Sequence, residues 1–173
     1  MSRQLVRRTE MLDGLALAGR RLSAATIMFH QAIADRLGLN VTDHKCIDLL
    51  LLKGPQTAGE LAAQTGLTTG AITAVIDRLE KAGFACRQDD PNDRRRVIVG
   101  VVAKRVHDIE RLFQPFATAF AELCKHYDDA EVTVILDFMT RSCESLHNST
   151  LKLRVSSPSP GDRKTTRPAP RKG

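Results

Sequence analysis

Three consecutive arginines, Arg94-Arg95-Arg96, stand directly behind the turn-forming run Asp89-Asp90-Pro91-Asn92-Asp93. A guanidinium stays charged at physiological pH, and its planar donors suit phosphate and fit a narrow minor groove, where negative potential is concentrated. Upstream, Thr69, Gly70, Thr73, Asp77 and Arg78 share one side of a helical run whose other side holds Ile72, Val75, Ile76 and Leu79. Hydroxyls one turn apart at Thr69 and Thr73 can both reach base edges, Gly70 and Ala71 permit close approach, and Arg78 suits a phosphate contact. Asp77 would be repelled by phosphate and is expected to pair with Lys81, four residues on. Other chemistries find no such grouping. The five histidines (His30, His44, His107, His126, His147) are dispersed, with no nucleophile or metal-ligand spacing, and there is no glycine-rich phosphate loop. Cys46, Cys86, Cys124 and Cys143 form no CxxC pair and sit in apolar contexts, so they are expected to be reduced, buried small hydrophobes. Neither an enzyme, nor a metal site, nor a cofactor is expected.

The elements that must position these groups follow from local signals. Thr57 with Glu60 three residues on has capping-box spacing, and Leu61 and Ala62 lead to Gln64-Thr65-Gly66, whose glycine allows a tight turn. Thr68 caps the second helix, which buries Ile72, Val75, Ile76 and Leu79 and ends at Gly83. Phe84-Ala85-Cys86-Arg87 and Val97-Ile98-Val99-Gly100-Val101-Val102 then read as two strands around the Pro/Asn/Asp turn. Helix-turn-helix spacing alone is as readily an αα-hairpin, and an arginine run alone is usually a solvated loop. Their succession points to a recognition helix followed by a wing.

In these residues the chain resembles the multiple-antibiotic-resistance-regulator (MarR) family of winged-helix transcription factors. The likeness rests on Asp77-Arg78-Leu79-Glu80-Lys81-Ala82-Gly83 and on the wing Asp90-Pro91-Asn92-Asp93-Arg94-Arg95, and it is specific over about residues 40 to 102. It implies a mostly α, α+β winged helix-turn-helix in which Asp93 orients Arg95 toward the minor groove, and a homodimer joined by its N- and C-terminal helices. Arg96 stands where the family commonly has a small residue, Val102 where it often has threonine, and Arg105 where glycine is frequent. The candidate DNA-binding set is then Thr68, Thr69, Gly70, Thr73, Arg78, Asp93, Arg94, Arg95 and Arg96.

Around this head lie four further helical stretches, three of them long. Residues 10–37 place Leu15, Leu22, Phe29 and Ile33 on one stripe. A shorter helix, 43–53, is expected to be capped by Thr42 and stopped by Gly54-Pro55. Residues 103–127 carry Val106, Ile109, Phe113, Phe116 and Phe120, with Pro115 expected to bend the run. Asp128 and Glu131 open a last helix bearing Val132, Ile135, Met139 and Leu146. Apolar stripes this long need a partner, and a second copy is the economical one. Phe113, Phe116 and Phe120 could line a pocket for an aromatic or lipophilic effector or belong to the dimer core.

Seven of the 26 Lys/Arg but one of the 20 Asp/Glu fall in residues 151–173, so that segment carries the whole net charge of +6. Global charge therefore says nothing about the folded body. The expected organisation is a single domain over 1–154, with the winged helix at about 42–102 and dimerisation helices at about 10–37 and 103–151. A disordered basic tail would occupy 155–173, as a solvated extension or a source of diffuse phosphate attraction. The run Leu15 to Ala18 is too short for a signal segment and no membrane span is present, so a cytoplasmic protein is expected. The function expected is a sequence-specific DNA-binding transcriptional regulator, a repressor released by a small-molecule effector. The alternative is a winged helix used only for protein contacts, which apolar or acidic residues in place of the arginines would have signalled.

Overall fold

The structure, a computed structural model, describes residues 3–155. Its elements run α1 (Arg3–Leu37), α2 (Val41–Lys53), α3 (Ala58–Thr65), α4 (Thr69–Lys81), β1 (Ala85–Asp90), β2 (Asp93–Val101), α5 (Ala103–Cys124) and α6 (Asp129–Val155). This is a mostly α winged helix-turn-helix, as the sequence predicts. The basic tail expected from residue 155 lies outside the described residues apart from Val155, which ends α6. Two compact units divide the chain, one ending at Phe116 and the other starting at Ala117.

The first unit is built on the α2–α4 core. Thr57 accepts the Glu60 N–H at 3.2 Å while the Glu60 carboxylate accepts the Thr57 N–H at 2.7 Å, the reciprocal pair that starts α3. Gly66 takes a left-handed turn (φ 76°) and returns its N–H to the Ala62 carbonyl at 2.8 Å, which frees the chain to reverse into α4. Ile72, Val75, Ile76 and Leu79 are buried along one side of α4 and meet Cys46, Ile47, Leu50, Leu61, Phe84, Val99 and Ile109 in one cluster. Each such fully buried aliphatic side chain stabilises the fold by about 1.5–3 kcal/mol. The apolar face of α4 is thus fixed in the core while its other side stays at the surface.

β1 and β2 pair antiparallel from Ala85↔Val101 to Asp89↔Val97, and Asp90 then pairs with Asp93. The register shifts between the last two pairs, and the residues this leaves without a partner opposite are Arg94, Arg95 and Arg96. At the other end the hairpin is anchored by a one-residue bridge: Gln56 N–H reaches the Val99 carbonyl at 3.0 Å and Val99 N–H the Gln56 carbonyl at 2.7 Å.

Several boundaries differ from expectation. α1 begins at Arg3 rather than near residue 10, because residues 3–9 contain no glycine or proline to stop it. Asn40, not Thr42, caps α2: its Oδ1 accepts the Asp43 N–H at 2.8 Å from an extended backbone, which leaves Thr42 inside the first turn. α5 continues through Pro115 as one helix and ends at Cys124. Of the cysteines only Cys46 is buried; Cys86 and Cys143 are exposed and Cys124 is intermediate. Cys86 begins the run of β1, through Asp89, that is exposed beyond the buried Ala85.

The second unit holds the rest of α5 and α6. Asp128 accepts the Glu131 N–H at 2.8 Å and Glu131 accepts the Asp128 N–H at 3.0 Å, the expected cap of α6. Ile135, Leu136, Met139 and Leu146 of α6 are exposed in this chain, as are Leu12, Leu15 and Leu22 of α1 in the first unit.

Candidate nucleic-acid interface

At the start of α4 the Thr68 hydroxyl accepts the Ala71 N–H at 3.2 Å, which closes the first turn and leaves Thr69 and Gly70 exposed beside it. The Thr73 hydroxyl donates to the Thr69 carbonyl at 3.0 Å, so its remaining capacity is as an acceptor, suited to a base amino group. A side chain at Gly70 would meet nothing within 4 Å, so packing inside the chain does not require glycine there. Its bareness is available to a partner.

Arg78 is held differently. Its Nε donates to Asp43 Oδ2 at 3.0 Å and its Nη2 to Asp43 Oδ1 at 2.6 Å, a bidentate pair whose carboxylate side is only 4% exposed. The guanidinium read as a phosphate contact is therefore also the pin between α4 and α2. Asp77 does not turn to Lys81: it accepts from Arg87 Nη2 at 2.6 Å, and Arg87 also pairs with Glu80. A tertiary guanidinium that reaches two carboxylates at once outcompetes a single flexible lysine on the same helix. The pair joins α4 to β1.

On the wing, Asp93 Oδ1 accepts the Arg95 N–H at 3.0 Å and lies 3.9 Å from Arg95 Nε. The Arg95 side chain itself is 97% exposed. Arg94 is exposed as well. Arg96 is tied down: its Nη2 donates to Glu60 Oε1 at 3.1 Å and its Nε lies 3.7 Å from Asp90 Oδ2. Two of the three residues that depart from the family pattern thus have structural work. Arg96 joins the wing to α3, and Arg105 lies 4.7 Å over the Phe84 ring and donates to the Ala82 carbonyl at 3.4 Å.

The profile of the MarR family matches residues 39–97. The HTH-type transcriptional regulator YcgE of Bacillus subtilis (strain 168) is 42% identical over 135 residues, spanning 78% of this chain and 88% of that protein. The chain belongs to the MarR family. Like its relatives it is a winged-helix, DNA-binding transcriptional regulator and not an enzyme. Among solved structures it is similar to the transcriptional regulator Tm0710 from Thermotoga maritima, with a TM-score of 0.57 at 18% identity over 80% of this chain and 97% of that one. It is also similar to a MepR mutant from S. aureus bound to an oligodeoxyribonucleotide, with a TM-score of 0.51 at 16% identity over 76% and 97%. At these identities the likeness is one of fold. No helix among the described residues is long and apolar enough to cross a membrane.

Two groupings in this MarR chain were not visible as sequence spacing. Phe29 joins the aromatic residues, with ring centroids 5.6 Å from Phe113 and 5.5 Å from Phe116. The histidines are also less dispersed than they read. His30 Nδ1 lies 2.9 Å from Asp48 Oδ2, and His44 Nδ1 lies 3.5 Å from the same oxygen. Only the i, i+4 spacing of His44 and Asp48 was there to be read; His30 comes from α1. Burial holds the His44 imidazole below its ordinary value, which Asp48 opposes and His30 and Lys45 reinforce. Burial likewise pushes the Cys46 thiol up to about 11, which keeps it protonated and unreactive.

Proposed function

We propose that this MarR-family chain is a cytoplasmic homodimeric repressor that binds a pseudo-palindromic operator and is released by a small aromatic or lipophilic effector. The observation that carries this reading is the pairing of an exposed α4 N-terminal face with a wing whose three arginines fall at the break in the β-ladder. Thr69 and Thr73 would read base edges in the major groove, Gly70 would let the backbone approach, and Thr68 would fix the first turn. Arg95, set by Asp93, would enter the minor groove, with Arg94 beside it on the backbone. Arg78 and Arg96 would contribute by seating α4 and the wing through Asp43 and Glu60. The DNA-bound MepR neighbour supports the docking mode.

Dimerisation is supported by the exposed apolar side chains of α1 and α6, which in a lone chain would lie open to water. On this reading residues 1–154 act as one functional domain, with the winged helix at 42–102 and dimerisation helices at 10–37 and 103–151, and the basic segment 155–173 adds diffuse attraction to phosphate. The Phe29–Phe113–Phe116 cluster is the proposed effector contact. Light scattering should give two chains per particle. Binding-site selection followed by footprinting should give two half-sites with centres about one helical turn, roughly 10 bp, apart. A single chain protecting one asymmetric half-site would refute the reading.

A further inference from the structure

The His30–His44–Asp48 group on α1 and α2 is not used by the DNA-binding surface, and it has an unusual state of satisfaction. The His44 side chain is 1% exposed, yet neither of its ring nitrogens has a hydrogen-bond partner among the described residues. Asp48 Oδ2 is buried too, and its close neighbours His30 Nδ1 and His44 Nδ1 do not meet it with hydrogen-bond geometry. Buried polar atoms are nearly always paired, so the unmatched His44 nitrogens and Asp48 Oδ2, with His30 Nδ1 beside them, call for an occupant. One donor atom from each of the three residues lies within 4.8 Å of the others. Tetrahedral ligation with bonds near 2.1 Å places donor atoms about 3.4 Å apart. The two donor separations to Asp48 Oδ2, 2.9 and 3.5 Å, bracket that spacing.

We propose that His30, His44 and Asp48 form a binding site for a divalent transition-metal ion of the zinc type. Two imidazoles and one carboxylate are the donor set that such ions prefer, whereas calcium and magnesium take oxygen ligands. Three protein ligands leave a fourth position for water or an anionic ligand. The His30 and Asp48 side chains, 29% and 17% exposed, give solvent a route to it. The Phe113 ring, stacked on His44 at 6.4 Å and 5.7 Å from His30, walls the group from bulk water and fixes the imidazoles. His44 is the chain neighbour of Asp43, which pins the recognition helix, so the ion binds on the helix that seats α4.

The test uses the full chain, stripped with a chelator and titrated with Co2+ as a spectroscopic probe and with Zn2+ alone. One Co2+ per chain is expected, with the visible ligand-field bands of a four-coordinate ion that Zn2+ abolishes, and Zn2+ should raise Tm. His30→Gln and Asp48→Asn, both at partly exposed positions, should each weaken binding at least about tenfold, while His147→Gln leaves it unchanged. Should those variants unfold, NMR of the wild-type chain decides: Zn2+ should shift the His30 and His44 ring resonances and spare those of His107 and His147. Absence of stoichiometric binding would overturn the site. So would undiminished binding by a folded His30→Gln/Asp48→Asn double variant, or unshifted His30 and His44 resonances.

Discussion

Truncating Arg78 should cost more stability than neutralising its partner, although Arg78 is the more exposed of the two. Arg78→Ala strands the Asp43 carboxylate, which is 4% exposed and, among the described residues, keeps the Asn40 amide, at 2.9 Å, as its side-chain partner. Removing one member of a fully buried pair costs about 3–5 kcal/mol. Here the Arg78 side chain is half exposed and Asn40 remains, so about 2–3 kcal/mol is the expected loss. Asp43→Asn leaves a half-exposed guanidinium that water can solvate, and should cost about 1 kcal/mol. The double variant should then show a coupling of about 1–2 kcal/mol. Urea unfolding followed by far-UV circular dichroism at one fixed protein concentration measures all three, since dimerisation would make stability concentration-dependent. DNA titrations across salt add a second readout. If Arg78 acts by seating α4, Arg78→Ala weakens binding with its salt slope unchanged, whereas loss of a phosphate contact lowers the slope by about one. An Arg78→Ala stability within about 0.5 kcal/mol of wild type, or a larger cost for Asp43→Asn, would refute the reasoning.

Arg95→Ala should weaken operator binding by about 1–3 kcal/mol without altering the unfolding midpoint, because its side chain is 97% exposed; an operator titration equal to wild type would remove Arg95 from the interface. The Glu60 carboxyl is held below its ordinary value of 4.5, first by the Thr57 N–H, then by the Thr57 hydroxyl and, less, by Arg96. Its contribution to stability is therefore present above 4.5 and lost as pH falls through the lowered folded value, and Glu60→Gln should differ from wild type at neutral pH and converge on it in acid; urea midpoints at both pH values check this. Deleting residues 156–173 removes Arg163, Lys164, Arg167, Arg171 and Lys172 and should lower DNA affinity at low salt while leaving the preferred sequence unchanged, as selection with the truncated chain would show.

What the sequence made legible was what lies within one helical turn. The Thr57–Glu60 and Asp128–Glu131 caps and the buried stripe of α4 depend on neighbours three or four residues away, and each formed as read. Contacts set by the tertiary arrangement were not legible. The Arg78–Asp43 pair joins residues 35 apart, and Arg87 draws Asp77 from across the helix–strand corner. In sequence Arg94–Arg96 stand between the turn and the returning strand. Only the observed register reveals that they fall outside its pairing, because register depends on where the turn closes. Asn40 and Thr42 are both good cap residues in sequence, and which of them starts α2 depends on where α1 ends.

The break in the β-ladder also separates two kinds of selection along one hairpin. Below Val97 the strands are constrained by pairing, by the bridge to Gln56 and by the buried Ile98 and Val99, so substitutions there are judged by folding. The stretch 94–96 has no ladder partners to satisfy. Altering its exposed members Arg94 and Arg95 leaves the ladder from Ala85↔Val101 to Asp89↔Val97 as it is. On the proposed docking, a lineage of such regulators can retune its wing by changes at Arg94 and Arg95, with the scaffold beneath them inherited intact.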